Sequence, residues 1–326
     1  MQHKGFVLIL TFWVLILLII FSISLTRRAL LNLRISYYQQ DRLKALNFAK
    51  AGVKYAIDLL DKDMKDFQTK NYDSIFECGV NLKGKSPQDI FKRNFGNKND
   101  GFIIGYKNLD GDFIYGVQDI QAKININNLK NENFIKEGLI FSGFEKDAVD
   151  LSIKIKEWIN ELKEDDEEKR HYKNSKLKIE EELLLILEDF YKDKDLAKEN
   201  YNKIREIFTT FGDNKININT ASFEVLTIIT NAIVKANSKE LSLTPIIVEK
   251  IISYRSQKVF KNEQEIVDFL SEEDDLREIF EEMKDYLTTK SDYFKINVVG
   301  RANKVVKNIT TIYDRKNRKI IYYHTN

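Results

Sequence analysis

The sequence predicts an α+β fold in which one long N-terminal helix precedes an antiparallel sheet, and a large helical block interrupts the sheet-forming sequence. Three observations predict this arrangement. A long apolar stretch without helix breakers opens the chain, strand-like alternation occurs in two regions far apart, and the sequence between them is helix-forming. The 326 residues, 43% hydrophobic and 31% charged, have the composition of a folded protein.

The apolar stretch from Phe6 to Leu25 is twenty residues long and carries no charge. As a helix it measures about 30 Å, which is enough to cross the hydrocarbon core of a bilayer. A secretory signal has an apolar region of about 7–15 residues followed by small residues at the cleavage site. Here the stretch ends in Leu25-Thr26-Arg27-Arg28 without such a site. The sequence therefore predicts a retained membrane span over residues 6–25.

The same helix is predicted to continue beyond the membrane. Between Thr26 and Phe67 there is no proline and one glycine, Gly52, and apolar residues recur at spacings of three and four. We therefore predict one helix over residues 6–67, about 90 Å long. Its first half needs apolar partners, and its second half needs a globular domain of its own.

Two regions predict the sheet. Gly101 to Asp119 holds two strand-like runs around Asp110-Gly111, a hairpin signal, and Tyr293 to His324 holds three more short strands with turns near Gly300 and Asp314–Arg318. A sheet built from both regions requires the helices to be inserted between them. We predict an α/β domain from residues 68–129 and 290–326, and a helical insertion over 130–289.

A short motif occurs twice in the chain. "KININN" at Lys123–Asn128 and "KININT" at Lys215–Thr220 are extended stretches that each lead into a helix with an acidic first turn. Downstream, a helix from Pro245 to Arg255, a plugging Phe260 and a helix from Asn262 resemble the second half of a helix-hairpin-helix or SAM-like unit. The hairpin position lacks glycine and a basic cluster, so a packing module is favoured over a DNA-binding one.

Asp165, Asp166, Glu167 and Glu168 form an acidic run that offers oxygen ligands to calcium. Consecutive residues of a helix point in different directions, and no glycine shapes a binding loop here, so a solvated charged face is favoured over a metal site. Asp165 and Asp166 remain the candidate calcium ligands, and no other cofactor is predicted.

The net charge and the reactive residues argue against nucleic-acid binding and enzymatic activity. The 52 basic and 50 acidic residues leave a net charge of +2, so no global field attracts nucleic acid. Cys78 is the one cysteine, and the three histidines, His3, His171 and His324, lie far apart. No serine elbow, phosphate loop or paired histidine spacing occurs. We therefore predict neither enzymatic activity nor a nucleic-acid partner.

The opening "HKGFVLILTFWVLILLII" resembles the class III signal of type IV pilins and type II secretion pseudopilins. In that superfamily the prepilin peptidase cleaves after the glycine, here Gly5, and methylates the new amino terminus, here Phe6. The resemblance thus implies a leader peptide of residues 1–5. Most members carry Glu at the fifth mature position, where this chain has Leu10. The K-type minor pseudopilins (the general secretion pathway protein K family) are similar in lacking that Glu.

Two further segments resemble the K-type family. "NINTASFEVL" at Asn217–Leu226 is similar to its N-x-N-T-A-x-x-x-V-L pattern. Trp158, Asn160 and Glu182–Leu183 align with its D-W-x-D-x-D and S-E-L patterns, although Glu157 and Asn160 replace Asp. The resemblance implies an α/β pseudopilin domain interrupted by a helical insertion, and members of the family can hold calcium in that insertion.

The resemblance also implies a role. It predicts a minor pseudopilin at the tip of the periplasmic pseudopilus, anchored by one span in the bacterial inner membrane with its globular part in the periplasm. The expected partners are other minor pseudopilins, the major pseudopilin and prepilin peptidase. Leu10 fits a tip position, since a buried carboxylate there costs several kcal/mol unless it is paired. Arg27, Arg28 and Arg34 outnumber Lys4, which favours the opposite orientation, although long domains can translocate regardless.

Two alternatives stay open at this point. A minor pilin of a type IV pilus would share the same N-terminal signal and helix. A membrane-anchored DNA receptor, as in competence, would instead use the helix-hairpin-helix likeness.

Overall fold

The computed structural model describes residues 3–74, 84–96, 100–107, 111–128, 132–160, 173–270 and 277–326. Within them the helices are α1 (His3–Asp63), α2 (Pro87–Phe91), α3 (Glu132–Phe141), α4 (Ala148–Ile159), α5 (Glu182–Tyr191), α6 (Lys194–Ile204), α7 (Phe223–Ala236), α8 (Leu243–Gln257), α9 (Glu263–Leu270) and α10 (Arg277–Tyr286). The strands are β1 (Lys92–Asn94), β2 (Gly101–Lys107), β3 (Phe113–Tyr115), β4 (Gln118–Asp119), β5 (Ile124–Asn125), β6 (Phe208–Thr209), β7 (Ile216–Asn217), β8 (Leu287–Thr288), β9 (Tyr293–Ala302), β10 (Val305–Asp314) and β11 (Lys319–Thr325). Cys78, Asp110, Asp165–Glu168 and His171 lie outside the described residues.

One uninterrupted helix opens the chain, as the sequence predicts. α1 has 61 residues and is about 90 Å long. It ends at Asp63, four residues before the predicted end, because residues 64–72 form a series of turns with hydrogen bonds such as that from Lys65 N to the carbonyl oxygen of Lys62. Gly52 does not interrupt it.

The sheet is antiparallel and combines both predicted regions. Its main order is β1-β2-β9-β10-β11, with β3 paired to β2 and β4 paired to β9. The 101–119 hairpin and the three C-terminal strands are therefore confirmed. β9 and β10 have ten residues each, so they are longer than the short strands predicted. They pair without a break, from Tyr293 opposite Asp314 to Ala302 opposite Val305.

Gly300 is not in a turn, contrary to the prediction. The chain turns at residues 303–304, where Asn303 takes a left-handed φ of 50°. Gly300 lies inside β9, beneath α1, where a Cβ atom would lie 2.1 Å from the carbonyl oxygen of Ala45 and 2.6 Å from the amide nitrogen of Ala49. Glycine is needed here because the helix backbone contacts the strand directly.

The same close contact explains Gly52 in the middle of α1. A Cβ atom on Gly52 would lie 2.5 Å from Cγ1 of Val298 on β9. Ala45, Ala49 and Ala56 of the same helix are fully buried. The contact face of α1 is thus built of small residues, and the helix packs closely against β2, β9 and β10.

The helical block consists of two similar units. In the first, β5 pairs in parallel with β6, and the described residues between them form α3 to α6. In the second, β7 pairs in parallel with β8, and the described residues between them form α7 to α10. The repeated motif thus supplies the first strand of each unit. Ile124 and Ile126 pack in the core of the helical block, so its packing begins before the predicted boundary at residue 130.

The second unit matches its predicted helices within two residues. α8 and α9 cover the predicted segments, and Phe260 between them is fully buried. Its ring stacks on Tyr254 at a centroid distance of 4.4 Å and meets Phe269 edge-on at 5.4 Å. The predicted plug at this junction is confirmed.

Gly300→Ala should lower the free energy of unfolding by about 1–3 kcal/mol, because the new methyl group must push α1 away from β9. Urea unfolding of the protein in detergent, followed by circular dichroism, measures the change. Arg301→Ala is the matched control, since its exposed side chain lies on the next residue of β9 and its loss should change stability by less than about 0.5 kcal/mol. Equal stability of the Gly300→Ala variant and the unmodified protein would contradict the close contact.

Candidate functional site

The other described residues leave the first half of α1 uncovered. From Phe6 to Gln40 every side chain is exposed except Ile16, which is half-buried, and the first fully buried residue is Ala45. This uncovered part is about 50 Å long. It contains one candidate membrane span, with a mean hydropathy of 3.1 and none of its window buried.

Large apolar side chains cover this part of the helix. Several of them expose more than half of their surface: Phe6, Phe12, Trp13, Leu17, Phe21 and Leu25. A helix that is apolar all round, and that its own protein leaves bare, needs lipid or other helices around it. The candidate functional site is therefore the surface of α1 from Phe6 to Leu43, which we call the bare helix.

The bare helix stays apolar beyond the membrane span. After Arg27 and Arg28, seven more large side chains expose over half of their surface: Leu30, Leu31, Leu33, Ile35, Tyr37, Tyr38 and Leu43. At three- and four-residue spacings, Leu30, Leu33 and Tyr37 form one stripe, and Leu31, Ile35 and Tyr38 form a second. Two separate apolar stripes can contact two neighbouring helices at once.

The predicted processing and assembly residues lie at the far end of the bare helix. Gly5 is in the first turn of α1, just before the bare helix begins. Phe6 is 68% exposed, and Leu10 is 54% exposed. Leu10 lies about one turn after Phe6, on the same face. The described residues of the globular part do not cover either side chain, so both face whatever surrounds the helix.

A buried polar junction connects α1 to the rest of the protein. Arg315, which follows β10, is fully buried. Its guanidinium donates to Asp63 Oδ2 at 3.1 Å, at the end of α1, and to Asp73 Oδ1 and Oδ2 at 3.0 and 2.7 Å. It also donates to the carbonyl oxygen of Ser291 and lies 4.8 Å from the ring centroid of Phe294.

The helical block joins this junction through its second repeated motif. Asn217 Nδ2 donates to Asp119 Oδ2 at 3.0 Å, to Ser291 Oγ at 3.0 Å and to the carbonyl oxygen of Asp73 at 3.2 Å. Ser291 Oγ in turn donates to Asp119 Oδ2 at 2.6 Å. The junction therefore ties the end of α1, the sheet and the helical block together in one hydrogen-bonded network.

Burial changes the proton affinities in this network. It raises the pKa of Asp63 to about 6, and it raises that of Asp119 to about 6 even though Ser291 and Thr220 donate to its carboxylate. Burial opposes the charge of Arg315, but the carboxylates of Asp73 and Asp63 outweigh it and raise the pKa of the guanidinium. The junction thus keeps a charged arginine beside the carboxyl group of Asp63, which takes up a proton more readily than usual.

The second asparagine of each repeated motif has a structural role. Asn127 accepts from Leu177 N and donates to the carbonyl oxygen of Leu177, both at 2.8 Å. Asn219 does the same for Phe260, at 2.9 and 2.8 Å. Each asparagine therefore fixes the segment that enters the third helix of its unit. The motif's asparagines serve packing rather than a ligand.

Other predicted residues have structural positions. Trp158 packs against the core of the helical block, Asn160 caps the end of α4, and Glu182 begins α5, where it pairs with Lys173. The candidate calcium ligands Asp165 and Asp166 lie outside the described residues, so calcium binding stays a prediction. Among the described residues no group of three or more His, Cys, Asp or Glu is arranged to hold a metal ion.

Arg255, in the segment that resembles a helix-hairpin-helix unit, does not support DNA binding. Arg255 points inward and donates to the carbonyl oxygens of Ile218 and Ala221, at 2.9 and 2.6 Å. Lys235, at the end of α7, pairs with Glu137 at 2.6 Å. Both cations are therefore already paired within the protein, and neither is left as a free charge for a phosphate backbone.

Arg315→Met should lower the free energy of unfolding by about 3–5 kcal/mol, because it leaves the buried carboxylates of Asp63 and Asp73 without their counter-ion. Denaturant unfolding in detergent measures the loss. Lys316→Met, at the exposed next position, removes the same kind of charge and should leave the unfolding midpoint unchanged. Similar midpoints for the two variants would show that Arg315 does not hold the junction.

Comparison with known proteins finds similarity to a solved structure. No protein-family model matches the sequence, and no curated protein matches it. The chain is similar to a chain in the crystal structure of the GspK-GspI-GspJ complex from the enterotoxigenic Escherichia coli type 2 secretion system. The TM-score is 0.58 at 15% identity, and the match covers 89% of this chain and 99% of that chain.

At 15% identity, a match over 89% of this chain shows that the two chains share a fold. The predicted α+β fold class is confirmed, since this structure has a long N-terminal helix, an antiparallel sheet and further helices, and its fold is shared by a chain in that secretion complex.

Proposed function

We propose that this protein is a K-type minor pseudopilin of a type II secretion system. The observation that carries the proposal is the bare helix, joined to a domain with the fold of a chain in a secretion complex. Such a helix first anchors the subunit in the membrane. During assembly it then packs among the helices of neighbouring subunits. The work of the protein is assembly rather than catalysis.

The bare helix also supports the proposed location. A single span at residues 6–25 would anchor the protein in the inner membrane, with the globular part in the periplasm. The apolar stripes beyond Arg28 would then lie outside the bilayer, where they need protein neighbours. Two stripes suit contact with more than one subunit, and other minor pseudopilins and the major pseudopilin are the proposed partners.

A position at the tip of the pseudopilus is supported by two features. Leu10 provides no carboxylate for the amino terminus of a neighbouring subunit, and a subunit at the tip has no neighbour above it to neutralise. The helical block adds α3 to α10 beside the sheet and is fixed to it by the buried junction. A rigid block of this width blocks regular stacking, so the subunit would initiate and cap the filament.

Co-expression with prepilin peptidase should yield a mature protein that begins at N-methylated Phe6, as measured by mass spectrometry of the intact chain. Gly5→Val is the control, because a bulky side chain at the cleavage position should leave Met1 in place. If Met1 also remains on the unmodified chain while the peptidase processes a known substrate, the segment is a plain anchor. Cleavage at Ser24 or later would make it a discarded signal, and either result would contradict the proposal.

A further inference from the structure

The strand β11 forms one edge of the sheet. It pairs with β10 on one side, and no described strand pairs with it on the other. All of its residues are exposed except Tyr322, which is half-buried. Edge strands in soluble domains are usually short, covered or interrupted, because their free backbone groups attract other strands.

The free backbone groups of β11 can be assigned from its register. Asn326 and Asn308 exchange two backbone hydrogen bonds of 3.0 and 3.3 Å, and antiparallel pairs alternate between bonded and non-bonded positions. Tyr323 and Thr325 therefore occupy the non-bonded positions opposite β10. Their N–H and C=O groups point away from the sheet and are available to another strand.

A β-bulge limits where a partner strand can bind. The register shifts so that Tyr322 pairs with Ile312 and Ile320 pairs with Tyr313, which leaves Ile321 as the extra residue. Bulges commonly disrupt edges. Here the bulge lies near the start of β11, and the regular ladder from Tyr322 to Thr325 is left open.

Apolar side chains surround the open ladder. Ile320, Ile321 and Tyr323 are 47%, 43% and 47% exposed, and Val306 on the neighbouring strand is 45% exposed. These exposures are unusual for a sheet edge, where charged residues normally discourage association. A strand bound at this edge would cover several of these side chains.

The charge beside the edge is positive. Lys316 and Arg318 lie at the turn before β11, and Lys319 begins the strand. All three are exposed, and none forms a salt bridge with a described residue. The neighbouring carboxyl group, on Asp314, is buried and accepts hydrogen bonds from Asn317 at 2.8 and 2.9 Å. Asp292 acts on Lys316 electrostatically, but no described carboxylate forms an ion pair with any of the three cations, so acidic residues on a bound strand would meet favourable charge here.

We propose that β11 binds an extended, acidic strand of a partner protein, which adds to the sheet by β-augmentation. Backbone hydrogen bonds to Tyr323 and Thr325 would fix the register of the bound strand against β11, and the exposed apolar side chains would add buried apolar surface. The three cations would favour acidic sequences: Lys316, Arg318 and Lys319. A second copy of β11 is a poorer match because its own flank is basic. This inference concerns the sheet alone and holds whether or not the bare helix assembles as proposed.

A fluorescein-labelled peptide that alternates Val and Glu tests the proposal on the full-length protein in detergent micelles, with fluorescence anisotropy as the measurement. Saturable binding is expected. Tyr323→Pro should weaken it about tenfold, because proline removes an outward N–H group that β10 does not use. Tyr323→Phe keeps the backbone donor and most of the apolar area and should bind as the unmodified protein does.

Charge variants test the selectivity without altering the strand. Lys316→Glu combined with Lys319→Glu should weaken binding of the Val-Glu peptide and improve binding of a Val-Lys peptide. The proposal is overturned if neither peptide binds saturably, if Tyr323→Pro binds as tightly as Tyr323→Phe, or if both peptides bind the unmodified protein equally. Dimers that Tyr323→Pro converts to monomers would identify a second copy as the occupant and would also overturn it.

Discussion

The buried ion pairs of Arg315 hold the architecture together. One guanidinium contacts the end of α1 through Asp63 and the following loop through Asp73, and the network continues through Ser291 to Asp119 and the helical block. A charge with no solvent access is stable only while all of its partners stay in place. This interaction therefore couples the relative positions of helix, sheet and insertion.

Close packing of α1 against the sheet complements that junction. Gly52 and Gly300 let the second half of the helix lie directly on β9, so this half is fixed to the domain as a rigid element. The first half is left uncovered by the other described residues and presents apolar surface over about 50 Å. A rigid attachment makes the direction of the bare helix a property of the fold, and a defined direction is what ordered packing among neighbouring helices requires.

Local patterns predicted much of this structure. Helical periodicity and the absence of proline identified α1, and strand alternation around turn residues identified the sheet, since both are properties of neighbouring residues. The prediction of a turn at Gly300 was wrong, because glycine is common in turns and the sequence does not distinguish its other uses. The turn is at Asn303, and Gly300 instead allows α1 to approach β9 closely. The junction could not be predicted, because Arg315 and Asp73 are 242 residues apart and no local pattern marks such a pair.

The position of the protein in an assembled filament tests the central claim most directly. Pseudopili would be assembled in cells in which this protein carries a gold-binding tag on the helical block, and then imaged by electron microscopy. An initiating and capping subunit predicts a single label at one end of each filament. Labels spaced evenly along the filaments would contradict the account, because a subunit with this rigid helical block could then be stacked like the others.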